Sequence, residues 1–172
     1  MDATERARQI TRRLCRIYPH RRPLLKYRSS FELIIAVILS AQTTDAQVNE
    51  VTPELFSRYP GPGALAAAKQ TDVEKIVHST GFYRNKARSV VGAARVIHER
   101  FDDKVPRAME DLVSIPGVGR KSANVIRGVV HGLPAIVVDT HLARVANRLG
   151  LVTGKNPAVI ERGLQSIVPD EL

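Results

Sequence analysis

Along this chain the apolar positions fall almost wholly on a helical period, and turn residues cut the pattern into short segments. Near the start, Ile10, Leu14 and Ile17 recur at helical spacing among Arg6, Arg8, Arg12, Arg13 and Arg16, which predicts an amphipathic helix. Ser29 with Glu32 makes a capping-box pattern ahead of residues 31–39, whose nearly unbroken apolarity predicts a helix buried in the core. Thr44 or Asp45 can cap the next helix, in which Pro53 marks a kink or a restart. The PGPG run at 60–63 marks a turn before a short helix over 64–69, and Thr71 with Glu74 repeats the capping-box pattern for a helix closed by Gly81. Ala87, Val90, Val91, Ala94, Ile97 and Phe101 then form the stripe of a longer helix, whose default meaning is core packing. The pattern therefore predicts an all-α fold.

The densest information lies in residues 112–139, LVSIPGVGRKSANVIRGVVHGLPAIVVD. Pro106 suits the first turn of a short helix reaching Val113, where its missing N–H costs nothing, and Pro116 then blocks a simple continuation. Gly117 and Gly119 supply backbone freedom and leave their N–H groups uncovered by side chains. Residues 120–131 read as a second helix with Ala123, Ile126 and Val130 available for packing, so the motif is helix, hairpin, helix. Loop amides and the positive end of that second helix favour an anion, and a nucleic-acid phosphate is the natural one in a basic chain. Such a grip is blind to base sequence.

Two side chains in this stretch carry candidate chemistry. Lys121 stands beside Arg120 in the first turn of the second helix, and its amine, when neutral, is a nucleophile; taken alone it reads first as a solvated phosphate contact, and only its combination with the hairpin and Asp139 reverses that reading. Asp139 follows the apolar run 136–138 and precedes a helical pattern of Leu142, Val145, Ala146 and Leu149. It reads as the N-cap of that helix, as a catalytic carboxylate facing the lysine across a groove, or as both.

Composition agrees without deciding the function. A chain of 172 residues can bury a proper core, and with 44% hydrophobic but only 5% aromatic residues that core must be largely aliphatic. The formal charge of +9 favours a polyanionic partner. An anionic membrane surface explains charge equally well, but no apolar run reaches the roughly 18 residues needed to span a bilayer. Asp2 and Glu5 count against reading the arginine-rich start as a transit peptide, and the final DEL has no secretory signal to make it a retention address. His20, His78, His98 and His131 show no metal-ligand spacing.

At these residues the chain resembles the helix-hairpin-helix base-excision DNA glycosylases, and within them the endonuclease III branch. The hairpin is IPGVGRKSANVI, the Gly/Pro-rich segment is Gly132, Leu133 and Pro134, and the aspartate is Asp139 within VDTHLARVANRLG. FELIIAVILSAQTTD and STGFYRNKA resemble further family segments, so the likeness runs from about the first helix to the last residue. The resemblance implies two helical lobes with a DNA-binding groove between them. It divides the chain into an N-terminal helix (1–22) that packs with the C-terminal lobe, a helical domain (23–133) ending in the hairpin motif, and a C-terminal lobe (134–172).

It also implies roles. A lysine at the place of Lys121 distinguishes family members that cleave the strand from those that only release the base, so the implied enzyme is a bifunctional glycosylase and abasic-site lyase acting on oxidised pyrimidines. Its implied catalytic pair is Lys121 and Asp139, with DNA contacts from Gln42, Phe82, Gly117, Gly119, Arg120 and His141 and active-site support from Asp45. Gln42 can equally be a polar group at a helix C-terminus, Phe82 a core anchor and Asp45 an N-cap, while His141 reads first as a satisfied histidine in a first helical turn. A monofunctional mismatch glycosylase and a catalytically impaired DNA-binding domain are the alternatives. The implied partner is double-stranded DNA with damaged pyrimidines or abasic sites, with no membrane partner, and the implied state is an intracellular monomer, cytoplasmic or nucleoid-associated if bacterial.

One feature of the family has no counterpart here. The endonuclease III branch commonly adds a four-cysteine loop holding a 4Fe-4S cluster, whereas this chain has a single cysteine, Cys15, in its N-terminal helix. No cofactor is expected in this chain, and a cluster only if a longer native chain supplies four cysteines; the ending IVPDEL reads as a truncation, with a naturally shorter relative as the alternative. Cys15 is expected to be a reduced thiol.

Overall fold

The computed structural model describes residues 2–18 and 24–169. Its helices run as α1 (Ala3–Ile17), α2 (Ser30–Leu39), α3 (Asp45–Arg58), α4 (Pro62–Ala66) and α5 (Gln70–Val77), followed by a 3-10 turn (His78–Thr80). They continue as α6 (Tyr83–Phe101), α7 (Met109–Val113), α8 (Arg120–His131), α9 (Thr140–Arg148) and α10 (Pro157–Gln165), with no strand among the described residues. The fold class is all-α, and no helix among these residues is long and apolar enough to cross a membrane. The chain forms two compact units, Pro23–Ile126 and Met1–Arg22 with Arg127–Leu172. The division falls inside α8, where the sequence reading places it after Leu133. His20, the expected boundary at 22/23 and the terminal DEL lie outside the described residues.

The larger unit is built around α2, in which every residue from Phe31 to Leu39 is buried. Ser29 caps it by accepting the Glu32 N–H at 3.1 Å, but the reciprocal half of the capping box goes elsewhere. The Glu32 carboxylate accepts the Arg28 N–H at 2.7 Å and pairs with the Arg28 guanidinium at 3.0 Å, which satisfies a buried charge. Helix α6 packs against α2, α4 and α5 through the predicted stripe Ala87, Val90, Val91, Ala94 and Ile97, while Phe101 is half-buried.

Several local expectations are corrected. Helix α3 runs through Pro53 without restarting, because Val51, Thr52, Leu55 and Phe56 are buried on either side and their packing outweighs one missing N–H donor. Helix α5 starts at Gln70, so Thr71 is no cap, and Glu74 accepts from the Gln70 side chain at 2.8 Å instead. Helix α7 starts at Met109 rather than Pro106, with Glu110 and Asp111 in the first turn, where the helix dipole favours carboxylates. Helix α4 starts at Pro62, two residues early, with proline at the position that needs no N–H.

In the smaller unit Val138, Ala146, Ile160 and Leu164 form the buried centre, with Ile136, Leu142, Leu151 and Ile167 packed around it. Arg6 of α1 donates to the carbonyls of Leu149 and Gly150 at 3.3 and 3.4 Å, tying α1 to the end of α9. The Asn147 side chain exchanges hydrogen bonds with the Gly154 backbone at 2.9 and 3.0 Å, which folds the following loop back on α9. Helix α10, which the sequence reading leaves unassigned, carries a capping asparagine, Asn156, and Pro157 in its first turn.

The hairpin between α7 and α8 is seated on the larger unit by its glycines. A Cβ added to Gly92 of α6 would lie 3.3 Å from Pro116 Cγ, and one added to Gly117 would lie 2.9 Å from both Ile38 Cγ2 and Ser89 Cβ. Gly117 also has φ of 81°, in the left-handed region, whereas a Cβ on Gly119 would meet nothing within 4 Å. Gly117→Ala should therefore destabilise the protein by about 2–4 kcal/mol, the sum of left-handed strain and overpacking. Gly119→Ala should stay within about 0.5 kcal/mol. Urea denaturation of both variants checks this, and equal stabilities would refute the close seating.

Candidate active site

Helix α8 begins immediately after this hairpin, so Lys121 in its first turn takes its position from the seated glycine. The side chain is exposed and lines a cavity of about 370 Å³ together with Gly117, Ser122, Ser40, Gln42 and Asp45. Leu25, Val37 and Val125 give the cavity apolar wall. Four of the residues singled out from sequence, Gln42, Asp45, Gly117 and Lys121, thus share one recess although they come from the turn between α2 and α3, the start of α3, the hairpin and the start of α8. The N-cap of α3 is Thr44, whose hydroxyl accepts the Gln47 N–H at 3.3 Å, so Asp45 is not spent on that cap.

A second recess of about 230 Å³ shares Gln42 and Gly117 with the first and adds Phe82, Asn85, Lys86 and Ser89. Phe82 is 66% exposed, which corrects the reading of it as a core anchor. Gln42 and Phe82 have φ of 54° and 48°, a conformation costing a non-glycine residue roughly 1–2 kcal/mol. Strain at two exposed residues is held by surroundings, not by their own packing.

Lys86 is the residue the sequence reading missed. It is 5% exposed, and its Nζ donates to the Thr80 carbonyl at 2.7 Å. Burial lowers its pKa from the ordinary lysine value. The available signal was its register: Lys86 falls on the same helical face as Val90, Ala94 and Ile97, where a charged residue is out of place.

The hairpin glycines Gly117 and Gly119 are exposed, as is Arg120, while Val118 is buried and donates its N–H to Ile115 at 3.0 Å. In the other unit, Asp139 is half-buried and caps α9, Oδ1 accepting the Leu142 N–H at 2.7 Å. His141 is exposed in the first turn of α9, with Nδ1 3.2 Å from the Arg144 guanidinium. Cys15 is half-buried in α1. One thiol cannot supply a four-cysteine cluster, and among the described residues no group of three or more His, Cys, Asp or Glu is placed to hold a metal ion, so the residues present do not fit an iron-sulfur group.

A profile of the HhH-GPD superfamily of base excision DNA repair proteins matches residues 35–170. The chain belongs to that superfamily. Endonuclease III of Synechocystis sp. is 46% identical over 96% of this chain and 76% of its own length. Among solved structures of the HhH-GPD fold, a non-covalent endonuclease III–DNA complex matches with a TM-score of 0.90 at 39% identity, covering 99% of this chain and 80% of the other. A trapped endonuclease III–DNA covalent intermediate matches with a TM-score of 0.91 at 40% identity, covering 99% and 81%.

The buried amine of this HhH-GPD chain has a measurable consequence. Well below the lowered value of Lys86, folded and unfolded states both hold the proton and the burial penalty is complete; as pH rises toward the unfolded value of 10.5 the folded state sheds its proton first and the penalty is relieved. The melting temperature of wild type minus that of Lys86→Met should therefore rise as pH approaches 10.5. A difference that stays flat, measured by circular dichroism, would show that the amine is not desolvated.

Proposed function

We propose that this chain is a bifunctional DNA glycosylase and abasic-site lyase of base-excision repair, acting as a monomer on oxidised pyrimidines in double-stranded DNA. The observation that carries the reading is Lys121: an exposed amine in the first turn of α8, behind the hairpin, in a recess that also holds Asp45 and Gln42. The likeness to endonuclease III, one structure of which is a trapped covalent intermediate with DNA, supports it.

On this reading the hairpin amides of Gly117 and Gly119, with Arg120, hold backbone phosphate without regard to sequence, and His141 adds a contact. A damaged nucleotide leaves the stack, at less cost where its stacking is already impaired. Gln42 offers an amide to the base edges left behind, and Phe82 supplies an apolar wedge between base steps. The Lys121 Nζ attacks C1′ and the base departs with the electrons of the glycosidic bond; the nitrogen, giving up its protons, then expels O4′, which becomes a hydroxyl, and the opened sugar remains joined to the lysine as an imine. Loss of a C2′ proton then expels the 3′ phosphate and breaks the strand on that side of the lesion. Asp139 assists by activating the lysine or by stabilising positive charge developing on the sugar, a role compatible with capping α9.

Borohydride present during incubation with an abasic or thymine-glycol duplex should trap wild type covalently and leave Lys121→Gln untrapped. Absence of a wild-type band, or trapping of the variant, would exclude the lysine mechanism and leave a monofunctional glycosylase. Asn is as good an N-cap as Asp, so Asp139→Asn should fold and bind DNA normally while base release falls by at least about 100-fold. Full base release by that variant would reduce Asp139 to a cap.

A further inference from the structure

Gln42 and Phe82 lie forty positions apart in the chain, yet the structure ties their supports to a single atom. Thr43, the neighbour of Gln42, donates its hydroxyl to the Thr80 carbonyl at 2.6 Å. Lys86 donates to the same oxygen at 2.7 Å. A carbonyl oxygen has two lone pairs, and these two donors use both. Thr80 itself is 1% exposed and its own hydroxyl donates to the Val77 carbonyl at 2.7 Å, so the acceptor is held rigidly. Lys86 closes the circuit through its backbone as well, since its N–H donates to the Phe82 carbonyl at 3.0 Å.

We propose that Thr43 and Lys86 are positioning residues which, by sharing the Thr80 carbonyl, fix the spacing of Gln42 and Phe82 so that both enter a duplex as one rigid pair. This rests on the glycosylase reading above, in which those two side chains meet the bases. Both tips are left-handed, and Phe82 makes little compensating contact, so an isolated loop would relax away from this geometry. A buried lysine is a costly way to bind one carbonyl unless the position of that carbonyl matters. The amine donates in either protonation state, and the long stem reaches from α6 to the turn without a further residue. The two donors divide the work: Thr43 brings the Gln42 loop to the node, and Lys86 brings the start of α6 with Phe82.

The test compares Thr43→Val, which keeps the shape and removes the donor, with Thr43→Ser, which restores it. Duplex DNA with thymine glycol opposite 2-aminopurine reports base release and, by fluorescence, unstacking of the opposite base. A single-stranded abasic oligonucleotide trapped with borohydride reports the lysine chemistry without any need to open a duplex. Thr43→Val should lose about fivefold to tenfold in duplex base release relative to single-strand trapping, the worth of one hydrogen bond, with a smaller fluorescence rise. Thr43→Ser should recover both, and Lys86→Met should behave as Thr43→Val does. Wild-type excision and fluorescence in Thr43→Val would overturn the proposal, as would equal losses in Thr43→Ser, or duplex release and single-strand trapping falling together. If Lys86→Met does not fold, the Thr43 pair decides. A wild type that never traps but shows the fluorescence pattern would sink the lyase reading and leave the rigid pair standing.

Discussion

The contact on which most of the larger unit's site depends is the one Gly117 makes by having no side chain. Its backbone sits where a Cβ would overlap Ile38 of α2 and Ser89 of α6, with φ that an L side chain resists. Two fully packed helices therefore act as the bed for a hairpin that would otherwise be a loose turn. Because α8 starts three residues later, the same contact sets where Lys121 stands, and Gly117 itself lines both recesses beside it. Were Lys121 the nucleophile of the proposed reaction, its place on a helix rather than on the loop before it would keep the reacting atoms within the narrow tolerance chemistry demands.

A second constraint is strain. Most of this fold is relaxed helix, and among the described residues positive φ outside glycine is confined to Gln42, Phe82, Asp102 and Asp103. The last two close the C-terminus of α6, an ordinary use of left-handed geometry at a helix end. Gln42 and Phe82 have no such excuse, since they flank a recess and one of them exposes an aromatic ring. The inference runs from the outliers toward function, and it is strengthened by the node at Thr80 that keeps both outliers in place.

Much of this was legible in sequence, for identifiable reasons. The stripe of α6 and the unbroken apolarity of α2 are burial signals, and burial dominates where helices begin to matter to one another. The hairpin was legible because proline and glycine punctuate the backbone directly. Capping boxes fared worse: Ser29 caps as expected but Glu32 turns to Arg28, and Thr71 does not cap at all, because polar side chains choose among partners that only the folded chain supplies. The node at Thr80 was illegible for the same reason, since its donors are separated by 37 and 6 positions from the acceptor and no local pattern announces either. Lys86 alone left a trace, as a charge on an apolar face.

Two lysines of the larger unit show why a perturbed group is not automatically the reactive one. Lys86 is buried and its pKa is lowered, features that ordinarily mark a nucleophile. Its amine is nevertheless committed to the Thr80 carbonyl, and only 5% of the residue is exposed. Lys121 is exposed on a cavity wall beside a carboxylate and an amide, where a substrate can reach it. Covalent attack needs access before it needs a favourable protonation state, because a neutral amine that cannot meet C1′ reacts with nothing. On the proposed function the buried lysine serves architecture and the exposed one serves chemistry, which is the reverse of what ranking by pKa alone would choose.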